Sequence, residues 1–594
     1  MIIRFLLLGI LFFSVPALWS YQVSEEQPEE EDLLLDYKAI DFIAPIDLPF
    51  ALSGNFGEIR TNHFHSGLDI KTNSEIGYPI YAIADGYVSR IKVSEYGYGK
   101  VLYVTHPNGF TSVYAHLNEF TGETAKFVHS EHYKRQKSTF DIYPPKDFLN
   151  IKQGQIIAKS GNSGGSAGPH LHFEIRETAT SKPVNPLIFN YKVPDNVAPI
   201  IKGVTIYGIN DNSGVVASST IKASQKKEFK TKIINGVHYL EDGDNIRVKR
   251  RIGFGIETYD KASLSNNTLG VYSIDTYVDG ERISYFKCDK FSFYESRYVN
   301  SLIDFEEKYQ ENKTVSRTYR LPGNKLSMYK AMEKKGIYDF GDSTMKKHEV
   351  IIVVKDIAGN ASVVKFNVKV TDEFFLYDRD RSSDEEMFYY NTQNELEAAD
   401  LYARWPKYSF YKSFFFRHKV IEHHGDPLYH SRIHELDEPS VPVHKYYELK
   451  IRPERYDSNL TEKYLIARKD DKGNIKSEGG AFIDGYVYAK TRTLGTFFVA
   501  VDTLAPKLKP LNVHHGKNIS NQKYIDFSVT DDFSGIDYYE GQVDGKWVLL
   551  DFDWKKKRLR YQLDEYFPAG SHNMRIIAVD DRGNESFFDV NLVR

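Results

Sequence analysis

The chain has 594 residues, a formal net charge of −4, and 41% hydrophobic against 27% charged residues. This length exceeds what one hydrophobic core can organise and predicts about four domains. The net charge gives no electrostatic case for nucleic-acid binding, which calls for a basic domain, so we expect no nucleic-acid partner. Tyrosine (42) and phenylalanine (38) are abundant, which favours half-buried sheets over helices.

Residues 1–20 have the pattern of a secretory signal peptide. Arg4 precedes an apolar run at 5–15 that is shorter than the roughly 20 residues needed to span a bilayer. An uncleaved membrane anchor is the alternative. We therefore expect a secreted, periplasmic or envelope-associated protein whose mature chain has no stable membrane span. Residues 21–47, acidic at 25–32, are expected to form a solvated linker.

Cys288 is the only cysteine in the chain. An exported protein with one cysteine cannot form internal disulfides, so each domain must depend on its own core. No cysteine lies near the expected signal peptide, which excludes a lipid-modified cysteine anchor.

Residues 48–190 have the pattern of an antiparallel β-sheet domain. Short alternating runs at 78–83, 86–91 and 101–104 are separated by glycine and Asn-Gly pairs. A long segment of helical period is not evident there, so we expect no long helix.

An internal repeat follows residue 195. Asp-Asn-Val-Ala-Pro at 195–199 matches Asp-Thr-Leu-Ala-Pro at 502–506, and both copies close with Asp-x-x-Gly-Asn-x-Ser, at 356–362 and 580–586. Asp279-Gly280 and Asp544-Gly545 predict hairpin turns. The pattern resembles bacterial immunoglobulin-like β-sandwiches, expected at 195–372 and 502–594, each ending in an edge strand. The longer first copy predicts an insertion around 291–335.

Residues 373–501 are expected to form a further β-sandwich. Their first half is poorly defined, with weak helical or loop character at 378–411. The fold class is therefore all-β, with an N-terminal antiparallel sheet domain followed by sandwich domains.

Three histidine-bearing segments stand out between residues 65 and 172. They read His-Ser-Gly-Leu-Asp at 65–69, Tyr-Ala-His-Leu at 114–117 and Gly-Pro-His-Leu-His-Phe-Glu at 168–174. A hydrolytic zinc site needs three protein ligands and one open position, and these segments offer enough imidazole and carboxylate. His170 and His172 are two apart, so in a strand they share one face while Leu171 points into the core.

On these motifs residues 49–190 resemble the lysostaphin/LytM-type zinc endopeptidases that cut bacterial peptidoglycan. The resemblance implies His65, Asp69 and His172 as Zn²⁺ ligands. It also implies His116 and His170 as the catalytic pair, one activating water and one stabilising the oxyanion, with the division of roles left open. The implied partners are peptidoglycan peptides and an envelope protein bound by the β-sandwich domains.

Alternative interpretations remain for several features. A non-catalytic scaffold or amidase activator is the alternative to the enzyme. The insertion at 118–150 is expected to border the groove or act as a lid, and its His129-x-x-His132 is interpreted as solvated. The histidines at 423, 424, 430 and 434 suggest either a second metal or, as we favour, a polar loop. The Asp-x-x-Gly-Asn motifs suggest calcium, although turn chemistry explains them more simply.

Overall fold

The computed structural model describes residues 37–191, 193–209, 226–241, 243, 246–248, 250–341, 346–371 and 385–594. The expected signal peptide and the acidic stretch at 25–32 lie outside the described residues. Within the described part, 46 strands accompany three α-helices of 14, four and seven residues, which confirms the all-β fold class. None of the described helices is both long and apolar enough to cross a lipid bilayer.

The first unit, residues 37–191, is built on a nine-stranded antiparallel sheet. The strands of the whole unit, in this sheet and in two smaller ones, are β1 Leu52–Gly54, β2 Ile59–Arg60, β3 His63–Phe64, β4 Leu68–Lys71, β5 Pro79–Tyr81, β6 Gly86–Val93, β7 Val101–Thr105, β8 Phe110–Ala115, β9 Glu119–Phe120, β10 Phe140–Ile142, β11 Asn150–Ile151, β12 Ile156–Lys159, β13 His170–Glu177 and β14 Pro183–Val184. The sheet order is β1-β4-β13-β8-β7-β6-β10, with β11 beside β6 and β14 beside β13. Two small sheets, β5-β12-β9 and β2-β3, complete the unit with the 3-10 helix Pro186–Ile188.

The core of this unit includes residues that precede the expected boundary at 48. Phe42 and Ile46 are 6% and 1% exposed, and the Phe42 ring packs 5.3 Å from that of Phe189. The expected linker at 21–47 is therefore wrong for its last residues. Apolar side chains spaced too irregularly to predict a strand nevertheless cover the sheet.

One long helix, α1 Gly122–Arg135, interrupts this β-unit, contrary to expectation. Its buried residues are Thr124, Val128, Glu131 and His132. They follow a helical spacing, but three of the four are polar, so hydrophobic periodicity could not reveal the helix. The helix lies within the segment expected to be an insertion.

The second unit, residues 193–371, forms a twelve-stranded sheet that bends around its own core. Its elements are β15 Ile200–Gly208, β16 Lys226–Ile234, β17 Val237–Leu240, β18 Ile246–Val248, β19 Arg251–Tyr259, β20 Ser273–Val278, β21 Glu281–Lys287, β22 Val315–Arg317, β23 Tyr329–Ala331, β24 Tyr338–Asp339, β25 Lys347–Lys355, β26 Ala361–Val370, α2 Val299–Leu302, α3 Phe305–Glu311 and the 3-10 helices Ser296–Tyr298 and Glu333–Gly336. The bend is at β16, which pairs first with β15 and then with β17.

The last strand of this unit is not an edge strand, contrary to expectation. Strand β26 pairs with β25 on one side and, in parallel, with β17 and β18 on the other. The covering strands lie more than 110 positions earlier in the chain, so the local sequence could not indicate them.

The third unit, residues 385–501, packs a six-stranded sheet and a five-stranded sheet around one core. Its elements are β27 Glu385–Phe388, β28 Asn394–Glu397, β29 Leu401–Trp405, β30 Phe414–Ile421, β31 Ile433–Leu436, β32 Tyr447–Ile451, β33 Tyr464–Lys469, β34 Ile475–Ser477, β35 Ala481–Ile483, β36 Tyr486–Thr491, β37 Gly495–Val501 and the 3-10 helix Ser458–Lys463. The helical or loop character expected at 378–411 is wrong where the described residues form β27, β28 and β29. Trp405 there is fully buried and stacks on Tyr447 at 4.7 Å.

The fourth unit, residues 502–594, also has two sheets, of four and five strands. Its strands are β38 Lys507–Pro510, β39 Lys517–Asn518, β40 Tyr524–Thr530, β41 Ile536–Val543, β42 Lys546–Val548, β43 Leu550–Asp553, β44 Arg558–Gln562, β45 Ser571–Asp580 and β46 Glu585–Val593. The two predicted Asp-Gly hairpin turns are confirmed: Asp279-Gly280 and Asp544-Gly545 each have two consecutive positive φ angles, between β20 and β21 and between β41 and β42.

The first and second units share buried apolar surface. Phe56 and Phe64 of the first unit pack against Phe291 of the second, with ring centroids 5.2 and 5.6 Å apart. Gly57, at φ +79°, lies so close to Cys288 that an added Cβ would be 2.8 Å from its Sγ. This contact positions β2 and β3, which lead into the first histidine segment.

Candidate metal centre and active site

The three histidine segments meet on neighbouring strands. Strand β13 lies between β4 and β8, and His172 on β13 is in register with Asp69 on β4 and Ala115 on β8. Leu171 between the two β13 histidines is fully buried in the core. His65 precedes β4 in a loop, and His116 directly follows β8. The pairing of β13 with β4 and with β8 thus brings together residues that are up to 107 positions apart.

His65, Asp69 and His172 form a compact triangle of possible ligand atoms. The Nε2 of His65 is 3.0 Å from Asp69 Oδ1 and 3.0 Å from His172 Nδ1, which is 2.8 Å from Asp69 Oδ1. All three side chains are buried. Two nitrogens and one carboxylate oxygen this close together form a donor set that suits a transition-metal ion such as zinc.

Outer hydrogen bonds fix the orientation of His65 and Asp69. His65 donates from Nδ1 to the carbonyl of Asn55 at 2.7 Å, which directs its Nε2 into the triangle. Arg60 donates from Nη2 to Asp69 Oδ2 at 2.5 Å, so Oδ1 alone faces the imidazoles. Each of the two side chains therefore presents one defined ligand atom.

His172 is oriented by Glu174, two residues along the same strand. Its Nε2 donates to Glu174 Oε1 at 2.8 Å. Glu174 is 0% exposed and also accepts from Ser66, Tyr98 and Arg176 at 2.5–2.7 Å. A carboxylate behind a ligating histidine fixes the tautomer and raises the basicity of the ligand.

Electrostatics hold the carboxylates of this cluster ionised. Burial alone would raise the pKa of Asp69, but the adjacent imidazoles of His65, His170 and His172 hold it well below its usual range. Burial likewise opposes ionisation of Glu174, whose pKa is nevertheless lowered by Arg176 and His172. Two carboxylates thus stay negative beside the imidazoles, which favours binding of a cation at the triangle.

His116 and His170 lie beside the triangle with their rings 4.8 Å apart. His116 donates from Nδ1 to the carbonyl of Ser163 at 2.9 Å, and His170 donates from Nδ1 to the carbonyl of Gly168 at 2.8 Å. Both rings, when neutral, therefore have an unprotonated Nε2. Burial lowers the pKa of His116 to about 3, so this ring is neutral at physiological pH and can accept a proton.

The His170 ring stands next to the metal-type donor set. Its Nε2 is buried, has no hydrogen-bond partner among the described residues, and lies 3.3 Å from Asp69 Oδ1. An imidazole nitrogen left without a partner in a polar site is available to a substrate or a water molecule.

The loop that holds His116 contacts the fourth unit. Lys555 donates from Nζ to the carbonyls of Asn162 at 2.5 Å and Ser166 at 3.0 Å. Trp554 donates from Nε1 to the carbonyl of Gly164 at 3.3 Å. The glycine-rich loop at 161–168 is thus held from outside by the fourth unit. A groove runs between them, bordered by Lys100, Asn118, Pro169, Tyr539 and Asp551.

Helix α1 docks on the same fourth unit. The Tyr133 ring stacks on that of Tyr566 at 3.8 Å, and its hydroxyl donates to Asp564 at 2.5 Å. His129 and His132 lie on this helix with separate partners, Glu565 at 3.5 Å and the carbonyl of Lys137 at 2.8 Å. Neither lies in a cluster of possible metal ligands among the described residues.

The histidines of the third unit do not converge on one point. His434 is buried on β31 beside His418 and Asp400, whereas His423 pairs with Glu454 at 2.8 Å. The groups of possible metal ligands found in the described residues do not include them.

Sequence reasoning missed the residues that orient the ligands. Glu174 belongs to the third histidine motif, and its place two residues beyond His172 on a strand could have marked it as a same-face neighbour. Asn55 acts through its backbone carbonyl and Arg60 reaches Asp69 across a turn. No sequence signal identifies those two roles.

Comparison with known proteins agrees with this geometry. Residues 63–133 and 146–186 match peptidase family M23, and residues 385–502 match the Zu5-like domain. The first match contains all five site residues and omits 134–145, which include the end of α1 and strand β10. The second match covers the third unit.

Curated proteins similar to this chain match about a quarter of its length. The DD-carboxypeptidase/endopeptidase Mpg of Neisseria meningitidis serogroup B is 29% identical over 137 residues, 23% of this chain and 25% of that protein. The peptidoglycan DD-endopeptidase ShyA of Vibrio cholerae serotype O1 is 28% identical over 159 residues, 26% and 30% of the two chains. A solved structure of a zinc-containing peptidase from Vibrio cholerae is 26% identical with a TM-score of 0.19, covering 26% of this chain and 41% of that one.

The matched stretch thus spans about a quarter to a third of the length of these curated relatives. The family match confirms the peptidase resemblance deduced from the three histidine motifs. The first unit of this chain belongs to peptidase family M23.

Proposed function

We propose that the chain is a zinc-dependent endopeptidase that hydrolyses peptide bonds in peptidoglycan stem peptides or cross-links. The observation that carries the proposal is the triangle of His65, Asp69 and His172 beside two further histidines, each with its Nδ1 bound to a backbone carbonyl. A site of this composition has both the ligands and the proton acceptors that metal-assisted hydrolysis needs.

The donor set fits zinc. Four-coordinate zinc with ligands at about 2.0–2.1 Å separates its ligand atoms by about 3.3 Å, close to the 2.8–3.0 Å within the triangle. His65, Asp69 and His172 would hold the ion, with Asn55, Arg60 and Glu174 as their supports. Bound zinc would supply the Lewis acidity that polarises a peptide carbonyl and makes water a better nucleophile at neutral pH.

His116 and His170 would move the protons. The hydrogen bond from each Nδ1 leaves Nε2 as the acceptor, so either ring can take the proton of an attacking water. Once protonated, the same nitrogen can donate to a developing oxyanion or to the leaving amine. The two rings are 4.8 Å apart, close enough to act on one substrate carbonyl from two sides.

Relatives named peptidoglycan DD-endopeptidase support the choice of substrate. A peptide of the cell wall requires a protein located in the envelope, which agrees with the signal-peptide pattern at 1–20. We propose that the second and fourth units are immunoglobulin-like, supported by their mainly antiparallel sheets and Asp-Gly hairpins. With the third unit they would position the enzyme or bind an envelope partner.

The test is cleavage of purified muropeptides by the zinc-loaded full chain, with products identified by mass spectrometry. We expect new peptide termini that disappear in His170→Ala and His116→Ala and persist in His129→Ala, which alters a histidine outside the site. Intact muropeptides together with stimulation of an added amidase would instead support the non-catalytic alternative.

A further inference from the structure

The second unit contains a cluster of three carboxylates, two of them buried, away from the first unit's histidine site. Asp195 lies in the connection between the first and second units, Asp260 directly follows β19, and Asp356 lies in the turn between β25 and β26. Carboxylate oxygens of all three are within 4.8 Å of one another. Asp260 and Asp356 are both 3% exposed.

The side chain of Asp260 has a buried oxygen whose position is not explained by hydrogen bonding within a turn. Its Oδ1 is buried and has no hydrogen-bond partner among the described residues. Asp356, in contrast, accepts from the backbone and side-chain nitrogens of Asn360 at 2.9 and 2.7 Å. A buried, unpaired carboxylate oxygen beside two further carboxylates is costly unless a cation compensates it.

No positively charged side chain among the described residues compensates these carboxylates. The charges that shift the pKa values of Asp260 and Asp356 come from other carboxylates, and none among the described residues comes from a lysine, arginine or histidine. Burial, with the charges of Asp356 and Asp195, raises the pKa of Asp260 to about 7. Without a ligand, the cluster therefore costs the second unit stability.

We propose that Asp195, Asp260 and Asp356 form a calcium-binding site at the junction between the first and second units. Ca²⁺ takes six to eight oxygen ligands at about 2.3–2.6 Å, so two ligands on opposite sides of the ion are about 5 Å apart. The carboxylate oxygens of the cluster all lie within 4.8 Å of one another, near enough to bind one such ion. An all-oxygen donor set without imidazole or thiolate favours calcium over zinc, and water would complete the shell.

The position of the site gives it a structural consequence. Asp260 begins the segment that ends at Leu269, and the two residues are joined by reciprocal backbone hydrogen bonds of 2.9 Å. Leu269 is buried in the core of the first unit, and the next residue, Gly270, exchanges two hydrogen bonds with the side chain of Asn55. Calcium would therefore fix the segment that docks the second unit against the first.

The fourth unit contains the same arrangement in its repeat copy. Asp502, Asp531 and Asp580 also have carboxylate oxygens within 4.8 Å of one another. There, Asp531 Oδ2 accepts from the backbone nitrogens of Phe533 and Gly535 at 2.9 and 2.7 Å, whereas Asp260 Oδ1 has no partner among the described residues. The proposal is confined to the first cluster.

The experiment is calorimetric titration of CaCl₂ into the full chain, stripped of metals and reloaded with zinc. The wild type should bind one Ca²⁺ more than Asp260→Asn, and its Tm should rise by roughly 5 °C at about 100 times the dissociation constant. Asp532→Asn, which removes an exposed acid beside the repeat cluster, should retain that extra equivalent.

The Tm values of the wild type and Asp260→Asn without calcium distinguish a lost calcium ligand from a variant that fails to fold. Because Asp260→Asn removes a repelling charge, its Tm without calcium should equal or exceed that of the wild type. Calcium stoichiometry that is the same in Asp260→Asn and the wild type up to about 10 mM, well above the dissociation constants of extracellular calcium modules, would overturn the proposal. Equal heats with MgCl₂ would overturn the choice of calcium.

Discussion

Glu174 determines which nitrogen of His172 can bind a metal. The imidazole donates from Nε2 to Glu174 Oε1 at 2.8 Å, and its Nδ1 lies 2.8 Å from Asp69 Oδ1. Burial lowers the pKa of His172, but its hydrogen bonds to Asp69 and Glu174 raise it to about 9, so the ring loses a proton when it binds a metal. Since a neutral imidazole has one donor and one acceptor nitrogen, the bond from Nε2 to the buried carboxylate then leaves Nδ1 unprotonated and facing the cluster. The orientation of this ligand is thus determined by His172 and Glu174 on the same strand.

Glu174→Gln should weaken zinc binding about 10–100-fold, because the loss of a carboxylate behind a ligating histidine lowers the basicity of that ligand. Competition with a chromophoric chelator measures the affinity. Glu119→Gln is the matched control, since Glu119 is exposed and pairs with Lys159 at 2.7 Å, away from the triangle. Equal affinities in the wild type and Glu174→Gln would show that the carboxylate does not support the ligand.

The Cys288 thiol should be unreactive in the folded protein. It is 1% exposed against Gly57 at the contact between the first two units, and burial raises its pKa above the usual value. Ellman's reagent should therefore label no thiol under native conditions and one per chain in denaturant. Rapid native labelling would mean that the two units separate in solution.

Much of the candidate site could be deduced from sequence because its residues lie in short motifs. His170 and His172 share a strand face by simple alternation, and Asp69 lies opposite His172 in a paired strand. The supports Asn55 and Arg60 could not be found, since one acts through its backbone and the other through a long side chain reaching across a turn.

The fold was less predictable where packing is non-local. Helix α1 buries polar residues, including Glu131 and His132, so its pattern resembles a surface segment. Strand β26 is covered by β17 and β18 from a distant part of the chain. Asp195, Asp260 and Asp356 are separated by up to 161 positions and become a cluster only when the sheet closes.

The stability of the third unit should fall as the pH is lowered through the range below 6.5. Burial lowers the pKa of His434 to about 4, so the unfolded chain binds a proton more readily than the folded one. The contribution of neutral His434 to the free energy of unfolding is fully present above about pH 6.5. It declines toward pH 4 and is smaller by about 2 kcal/mol at pH 5.

Calorimetry of the full chain at pH 7.5 and pH 5 measures this effect. In His434→Leu the drop in the Tm of the third unit's transition should be smaller than in the wild type. His514→Leu, which replaces an exposed histidine, should leave the drop unchanged. An equal drop in His434→Leu would assign the acid sensitivity to other groups.

Lys555→Ala should reduce peptidase activity several-fold through the loop that orients His116. Lys555 holds the carbonyls of Asn162 and Ser166, and Ser163 between them accepts the hydrogen bond from His116 Nδ1. Loosening the loop misplaces the ring, and small displacements of catalytic groups reduce the rate strongly.

Lys556→Ala is the control, since Lys556 is a neighbouring lysine that pairs with Asp553 at 3.6 Å. The measurement is kcat/KM on muropeptides with circular dichroism to verify folding. A rise in activity in Lys555→Ala would instead mean that the fourth unit obstructs the groove, because its release would then admit more substrate.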